Sequence, residues 1–346
     1  MKKAGIITLC NEYNFGNRLQ NYAVQEVLKR FNLEVETIKY LGLNDKVASE
    51  KNDIHKNRLA KFRKFNENVM FSKDTMYKEL DLPENFSENF DYFVMGSDQI
   101  WNFTFTKLFS DKAFASFAPK QKKISFSASF GVNYVPEEGT ELYEMCKSNI
   151  QDIRAISVRE DAGRNIVEKI TGRTDVEVLI DPTMMLKQEE WEKVMRKPEN
   201  LKIDKFIVKS FLGNASEDYW NEICRIAKEN DCEIIDISDE NSPYYDMGPA
   251  EFLYLEKNAF LVATDSFHAC VFAILFSTPF IVFERNDEEA SMHSRIETLL
   301  KTFKMEDRIF EKSIYDKLLS SDYTEAHKIL EKERSKVNEF LTKSLK

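Results

Sequence analysis

The sequence predicts an α/β protein in which each of two halves carries a parallel sheet. Short apolar runs alternate with longer amphipathic stretches along the whole chain, as they do where crossover helices join parallel strands. Turn residues such as Gly172, Asp181-Pro182 and Thr278-Pro279 punctuate the alternation. One stretch, Phe260 to Phe283, reads as a complete βαβ unit.

The first half opens with an apolar strand, Ala4 to Leu9, and a polar loop, Cys10 to Asn17. Leu19, Ala23, Val24, Val27 and Leu28 then fall at helical spacing, which predicts a helix over Arg18 to Phe31. A strand at Glu34 to Tyr40 follows. Lys46 to Met70 is charged and helical in composition, and Lys51, Lys56, Arg58, Lys61, Arg63 and Lys64 read as its solvated face. Strands are expected at Tyr92 to Met95, Lys123 to Ser127, Ala155 to Val158 and Val176 to Ile180. Helices are expected near Glu138 to Asn149 and over Glu160 to Thr171, the latter closed by Gly172.

Asp181 to Lys187 reads as a linker, which gives an N-terminal Rossmann-like domain over 1–180 and a C-terminal one over 181–346. The second half repeats the alternation. It has a helix around Glu189 to Met195, a strand at Phe206 to Ser210, a helix over Ser216 to Asn230 and a strand at Glu233 to Ile237. A further helix begins at Pro249, a residue suited to the first helical position. The tail from Lys312 to Lys346 reads as charged amphipathic helices that cross back to the first domain. Two βα domains facing a cleft are the expected architecture.

Within the βαβ unit, the strand Phe260 to Ala263 stops at Thr264-Asp265, and Ser266 stands at the helix N-cap position. Ala269 to Phe276 is a buried helix, and Phe280 to Phe283 the second strand. His268 therefore lies in the first helical turn at the carboxyl edge of a parallel strand, where open α/β sheets bind ligands and helix starts favour anions. The alternative is a partly buried histidine that caps the sheet edge.

Composition narrows the function classes. The chain has 346 residues, of which 31% are charged, with a net charge of -10. No basic surplus is available to neutralise nucleic-acid phosphates. The start, MKKAGIITLC, is too short for a secretory signal, and no apolar run approaches a membrane span. Five scattered cysteines without a CxxC pattern fit free thiols in a reducing compartment, so a cytoplasmic location is expected. Phosphate-loop, dinucleotide-fingerprint, zinc-protease and hydrolase-elbow motifs are missing, and nothing in the sequence calls for a metal or redox cofactor.

Three polar constellations join His268. The first loop holds Asn11, Tyr13, Asn14 and Asn17, with Gly16 for the turn and Gln20 one helical turn on; amides and a phenol suit sugar hydroxyls. An ordinary asparagine-rich turn is the alternative. In Met95 to Asn102, Gly96 and Ser97 allow close approach, Asp98 suits a general base or a hydroxyl ligand, and Trp101 suits a stacking platform. Its alternative is a helix cap with a packing tryptophan. Arg159, between a strand and a helix, suits a carboxylate or phosphate, unless Glu160 and Asp161 pair with it. Arg295 is a further anion partner unless it is a surface arginine, and His293 beside it reads as a surface residue.

The ordered strings ITLCNEYNFGNRLQNYAVQEVL, FVMGSDQIWN, ISVRED with IDPTMML, and VATDSFHACVFAILFSTPFIVF resemble those of polysaccharide pyruvyl transferases, from Gly5 to about Leu300. The resemblance implies a GT-B-type glycosyltransferase fold. It also implies transfer of pyruvate from phosphoenolpyruvate onto two sugar hydroxyls as a cyclic ketal, during surface polysaccharide assembly. His268 matches the donor-site histidine, and Arg159 the arginine expected on the donor's anionic groups. Ser266 and Arg295 are further donor-binding candidates, while Asp98 as base and Asn14, Asn17 and Trp101 on the acceptor side are inferred from the residues themselves and not from the resemblance. A lipid-linked or nucleotide-linked sugar is the expected acceptor, and contact with a membrane would be peripheral, at its inner face. Many members carry Arg where this chain has Phe267 and Gly where it has Ala269. The lost charge leaves Arg159 or Arg295 to hold the donor. A glycosyltransferase using a nucleotide sugar and a non-catalytic polysaccharide-binding relative are the competing readings.

Overall fold

Apolar strands and their crossover helices build two separate parallel sheets in the computed structural model, which describes residues 1–10, 12–41, 53–105, 109–285, 294–310 and 322–346. The chain divides into one unit of Met1–Ala48, Asn66–Leu186 and Lys332–Lys346, and another of Ser49–Phe65 and Lys187–Glu331.

In the first unit, β1 (Lys2–Thr8), β2 (Leu33–Leu41), β3 (Phe71–Tyr77), β4 (Tyr92–Met95), β5 (Lys123–Ala128), β6 (Ala155–Val158) and β7 (Val176–Val178) pair parallel in the order β3-β2-β1-β4-β5-β6-β7. The order runs outward from the β1–β4 pair in both directions. That pair is the topological switch point, where the loops beyond the strands part and leave room for a ligand. Helix α1 (Phe15–Lys29) follows β1, whereas α2 (Asp53–Phe65) belongs to the second unit; α3 (Glu141–Gln151) and α4 (Asp161–Thr171) precede β6 and β7. The left-handed Gly172 closes α4 as its sequence position predicts. Ile7, Phe93, Trp101, Phe114, Phe130 and Ile156 share one buried core.

The second unit contains α5 (Gln188–Glu192), β8 (Phe206–Ser210), α6 (Glu217–Glu229), β9 (Glu233–Asp236), α7 (Pro249–Asn258), β10 (Leu261–Thr264), α8 (Phe267–Phe276), β11 (Phe280–Val282) and α9 (Ser294–Phe303). Its strands pair parallel in the order β11-β10-β8-β9, so the switch point lies between β8 and β10. Helix α8, apolar at every position except His268, is buried along its whole length. Trp191 and Phe252 both meet Phe272 of α8 edge-on. A last helix, α10 (Thr324–Ser344), ends within the first unit.

This partition corrects a single cut after residue 180. Residues 181–186 stay with the first unit, because Asp181 caps the turn Pro182–Met185 and is tied to that unit's polar cluster. Lys332–Lys346 also belongs there: Arg334 donates to the carbonyls of Met184 and Leu186, each at 2.8 Å. Helix α2 joins the second unit because Arg58 packs 4.5 Å from the Tyr245 ring centroid and Lys61 pairs with Asp246 at 3.0 Å. Arg58 is thus buried rather than solvated; Lys56, Arg63 and Lys64 are exposed, and Lys51 lies outside the described residues. Among the described residues, no helix is long and apolar enough to cross a membrane.

Candidate functional site

Both switch points carry polar clusters, one in each unit. In the first, the Asn14 side chain caps α1 by accepting from the Asn17 N–H at 3.1 Å. One turn on, Asn17 is buried and its side-chain amide donates to Asp98. One further turn along the same face, Gln20 accepts from the Ser97 N–H at 3.1 Å and donates to Thr8 Oγ1 at 2.9 Å. The start of α1 is therefore clamped to the loop after β4. The Gly96-Ser97 peptide is cis, and Asp98 sits in the left-handed region with φ 64°, which aspartate tolerates better than most residues.

Asp98 also accepts from Arg159 Nη2 at 3.2 Å, while Arg159 Nη1 donates to Asp181 at 2.8 Å and Nε lies 3.9 Å from Glu160. Glu160 in turn accepts from Ser129 Oγ at 2.8 Å and the Phe130 N–H at 3.1 Å. Ser97 Oγ lies 2.9 Å from the Ser127 carbonyl and 3.1 Å from Asp181. Burial opposes the charge on Arg159, but Asp98, Asp181 and Glu160 more than offset it and raise its pKa above the ordinary arginine value. This is a buried network in which each charged group is paired.

Arg159 is only 4% exposed, and each of its two terminal nitrogens donates to a carboxylate of its own unit, so it ties the loops after β4 and β7 together. Asp161 is not among its partners and pairs with Arg164 at 3.0 Å. Trp101 is not a sugar platform. It is fully buried, its indole N–H donates to the Ala113 carbonyl at 3.1 Å, and its ring stacks on Phe114 with centroids 5.3 Å apart. Asn14 remains half-buried at the rim as the α1 cap, and Asn11 lies outside the described residues. Asp181, read from the sequence as strand punctuation, is a member of this cluster that was not among the candidate residues; its signals were its place at a strand end shared with the other candidates and its presence in the string IDPTMML.

At the second switch point, Thr264 Oγ1 donates to the Ser210 carbonyl at 2.5 Å and accepts from the Ser266 N–H at 2.8 Å. Asp265 accepts from the N–H groups of Leu212 (2.6 Å) and Gly213 (2.8 Å) and pairs with Arg285 at 3.2 Å. These bonds strap the loop after β8 to the end of β10. Ser266 occupies the N-cap position of α8, but its hydroxyl makes no capping bond. The first-turn N–H groups of α8 are thus not covered by that hydroxyl, and an anion is the natural group to meet them. His268 lies on that turn and is 7% exposed. Arg295 is 6% exposed on α9, which packs on α8, so it is not a surface arginine. His293 lies outside the described residues. Among the described residues, no group of three His, Cys, Asp or Glu is placed to hold a metal.

Gly96 shows how tightly the first cluster is packed. Its φ is +111°, and an added Cβ would lie 2.6 Å from the Phe126 carbonyl oxygen. Gly96→Ala is expected to destabilise the protein by more than about 1 kcal/mol, measurable by urea unfolding.

A family model described as polysaccharide pyruvyl transferase matches residues 14–287. No curated protein matches the sequence. Among solved structures, the UDP-N-acetylglucosamine 2-epimerase from Rickettsia bellii is similar with a TM-score of 0.53 at 11% identity, over 99% of this chain and 96% of that one. A putative UDP-N-acetylglucosamine 2-epimerase from Listeria monocytogenes gives 0.52 at 12% identity, over 97% and 90%. The UDP-GlcNAc 2-epimerase from Neisseria meningitidis, bound to UDP-GlcNAc, gives 0.51 at 10% identity, over 99% and 100%. At such identities the likeness concerns fold alone, and the fold is of the GT-B type expected from the sequence.

Proposed function

The chain belongs to the polysaccharide pyruvyl transferase family, and from that premise we propose that it moves pyruvate from phosphoenolpyruvate onto two hydroxyls of a sugar. A proton adds to the methylene carbon of the donor, and its C2 becomes oxocarbenium-like. One sugar hydroxyl bonds to C2 and loses its proton, inorganic phosphate leaves, and the second hydroxyl closes the cyclic ketal with loss of its own proton.

The observation that carries this reading is the turn formed by Ser266 and His268 at the β8–β10 switch point, where helix N–H groups favour an anion. His268 is the proposed general acid, or the imidazolium that steadies the departing phosphate. Ser266 would bind the donor. Since Arg159 is held by carboxylates, the charge on the donor falls to cations of the second unit, Arg295 foremost. Asp98 is the proposed base on the acceptor side, with Asn14 and Asn17 as hydroxyl ligands. The acceptor would be a lipid-linked or nucleotide-linked sugar met in the cytoplasm, with peripheral membrane contact in the lipid-linked case.

Calorimetric titration of phosphoenolpyruvate tests this. Saturable binding is expected for the wild type, and His268→Ala is expected to lower phosphate release in the presence of acceptor by about 100-fold or more. Absence of heat with phosphoenolpyruvate together with binding of a nucleotide sugar would replace the pyruvyl reading with glycosyl transfer. Unchanged cellular function in His268→Ala would point to a non-catalytic relative.

A further inference from the structure

With Trp101 in the core, the exposed aromatic of the first unit's polar loops lies elsewhere. Tyr134, in the loop after β5, is 50% exposed, one of the few large hydrophobic residues among the described ones that are. Its ring is braced edge-on by Phe103, with centroids 5.4 Å apart and planes at 78°, and Phe103 meets Phe109 edge-on in turn. Phe103 and Phe109 are both core residues, so the exposed ring stands on a packed support. The Tyr134 hydroxyl has no hydrogen-bond partner among the described residues.

Beside this support, Gln99 presents a fixed amide. Its Oε1 accepts from Asn102 Nδ2 at 2.8 Å, and Asn102 is itself buried and locked by accepting from the Thr104 N–H (3.0 Å) and hydroxyl (2.7 Å). With Oε1 engaged, the orientation of the Gln99 amide is set, and its Nε2 donates to no described residue. Gly131 makes room for it: φ is +67°, and a Cβ there would run into Gln99 Oε1 and Asn102 Nδ2. The loops after β4 and β5 are therefore tied together at Gln99–Gly131 and again at Phe103–Tyr134. Both ties lie beyond the strand ends that carry Asp98.

We infer that Tyr134 and Gln99 form a sugar subsite, in which a pyranose ring of the acceptor stacks on the Tyr134 face and a hydroxyl accepts from Gln99 Nε2. This rests on the acceptor side assigned above. A phenol braced by core aromatics loses little entropy on binding, and a sugar's C–H face supplies the apolar complement that a lone exposed aromatic lacks. A preoriented amide donor then discriminates hydroxyl positions, which a stacking surface cannot do. The ligand class is a neutral hexopyranose, the acceptor's own ring or the one next to it.

Saturation-transfer NMR with methyl β-galactopyranoside, methyl β-glucopyranoside and methyl β-mannopyranoside is the test. At least one is expected to bind the wild type. Tyr134→Ala is expected to weaken that binding about tenfold with the melting temperature unchanged, and Tyr134→Phe to retain it. Gln99→Ala is expected to weaken binding and flatten the preference among the three sugars. Absence of binding for all three, wild-type binding in Tyr134→Ala, or a loss in Tyr134→Phe equal to that in Tyr134→Ala would each overturn the subsite. Calorimetry with phosphoenolpyruvate on the same variants keeps the two ideas apart. Sugar binding without phosphoenolpyruvate binding sinks the donor reading alone, and the reverse sinks the subsite alone.

Discussion

Arg159→Met is expected to lower the stability of the protein by about 3–5 kcal/mol, enough to leave much of it unfolded or insoluble. The side chain is replaced by one of similar length, so packing is nearly kept and charge is what is removed. Asp98 and Asp181 would then each lose the cation that holds them, at 3.2 and 2.8 Å, and Glu160 the one 3.9 Å away, with all three carboxylates buried. Breaking one partner of a buried ion network leaves uncompensated charge, which is far worse than never having had the network. Arg159→Lys should recover part of the loss, since an ammonium keeps the charge but cannot bond both aspartates as a fork. Adding Asp98→Asn and Asp181→Asn to Arg159→Met should also recover part. Urea unfolding of the four proteins decides it. A stable Arg159→Met protein that had only lost phosphoenolpyruvate binding would mean that the arginine serves the donor after all.

This residue also marks how far the sequence can be read. Its place between a strand and a helix was legible, as were those of Asp98 beyond the end of β4 and His268 in the first turn of α8, because strand ends in βα units follow from apolar runs and turn residues. Ser216 at the start of α6 and Gly172 at the end of α4 were legible for the same local reason. The partners of Arg159 were not. Asp98 and Asp181 lie 61 and 22 residues away and reach it only because β4, β5, β6 and β7 are neighbours in the sheet. Strand order is a tertiary fact, and no local pattern carries it. Trp101 failed likewise: an aromatic beside a polar loop looks the same in sequence whether it faces solvent or, as here, Phe114 and Phe130. Strand β3 escaped because FSKDTMY is an edge strand with only Ser72 and Met76 buried, so its apolar signal is weak. The Arg58 side of α2 escaped because a long basic side chain can lay its stem and guanidinium on an aromatic face, here Tyr245.

A second large effect is expected in the other unit, and it has the opposite sign. Glu256 of α7 is fully buried, and neither of its carboxylate oxygens has a hydrogen-bond partner among the described residues. Burial raises its pKa well above the ordinary carboxylate value, so the side chain holds its proton to higher pH in the folded protein than in the unfolded chain. The neighbouring Cys270 thiol is buried and pushed up as well, with Glu256 and Asp265 adding to the effect of burial, so it offers no positive charge to reverse this. In linkage terms, both states hold the proton below about pH 4.3, and Glu256 then makes stability independent of pH. Above that, the unfolded state binds fewer protons than the folded one, and stability falls by up to about 1.4 kcal/mol per pH unit until the folded pKa is passed. Glu256→Met removes the titrating group and two unpaired oxygens while keeping the volume. The variant should match or exceed the wild type at pH 5 and exceed it by a margin at least about 1 kcal/mol wider at pH 8. Urea midpoints at the two pH values measure that margin directly. A margin that stays constant would mean the carboxyl is ionised and compensated in the folded state. A margin that shrinks would mean that Glu256 ionises more readily in the folded protein than in the unfolded chain, a sign that burial alone cannot produce.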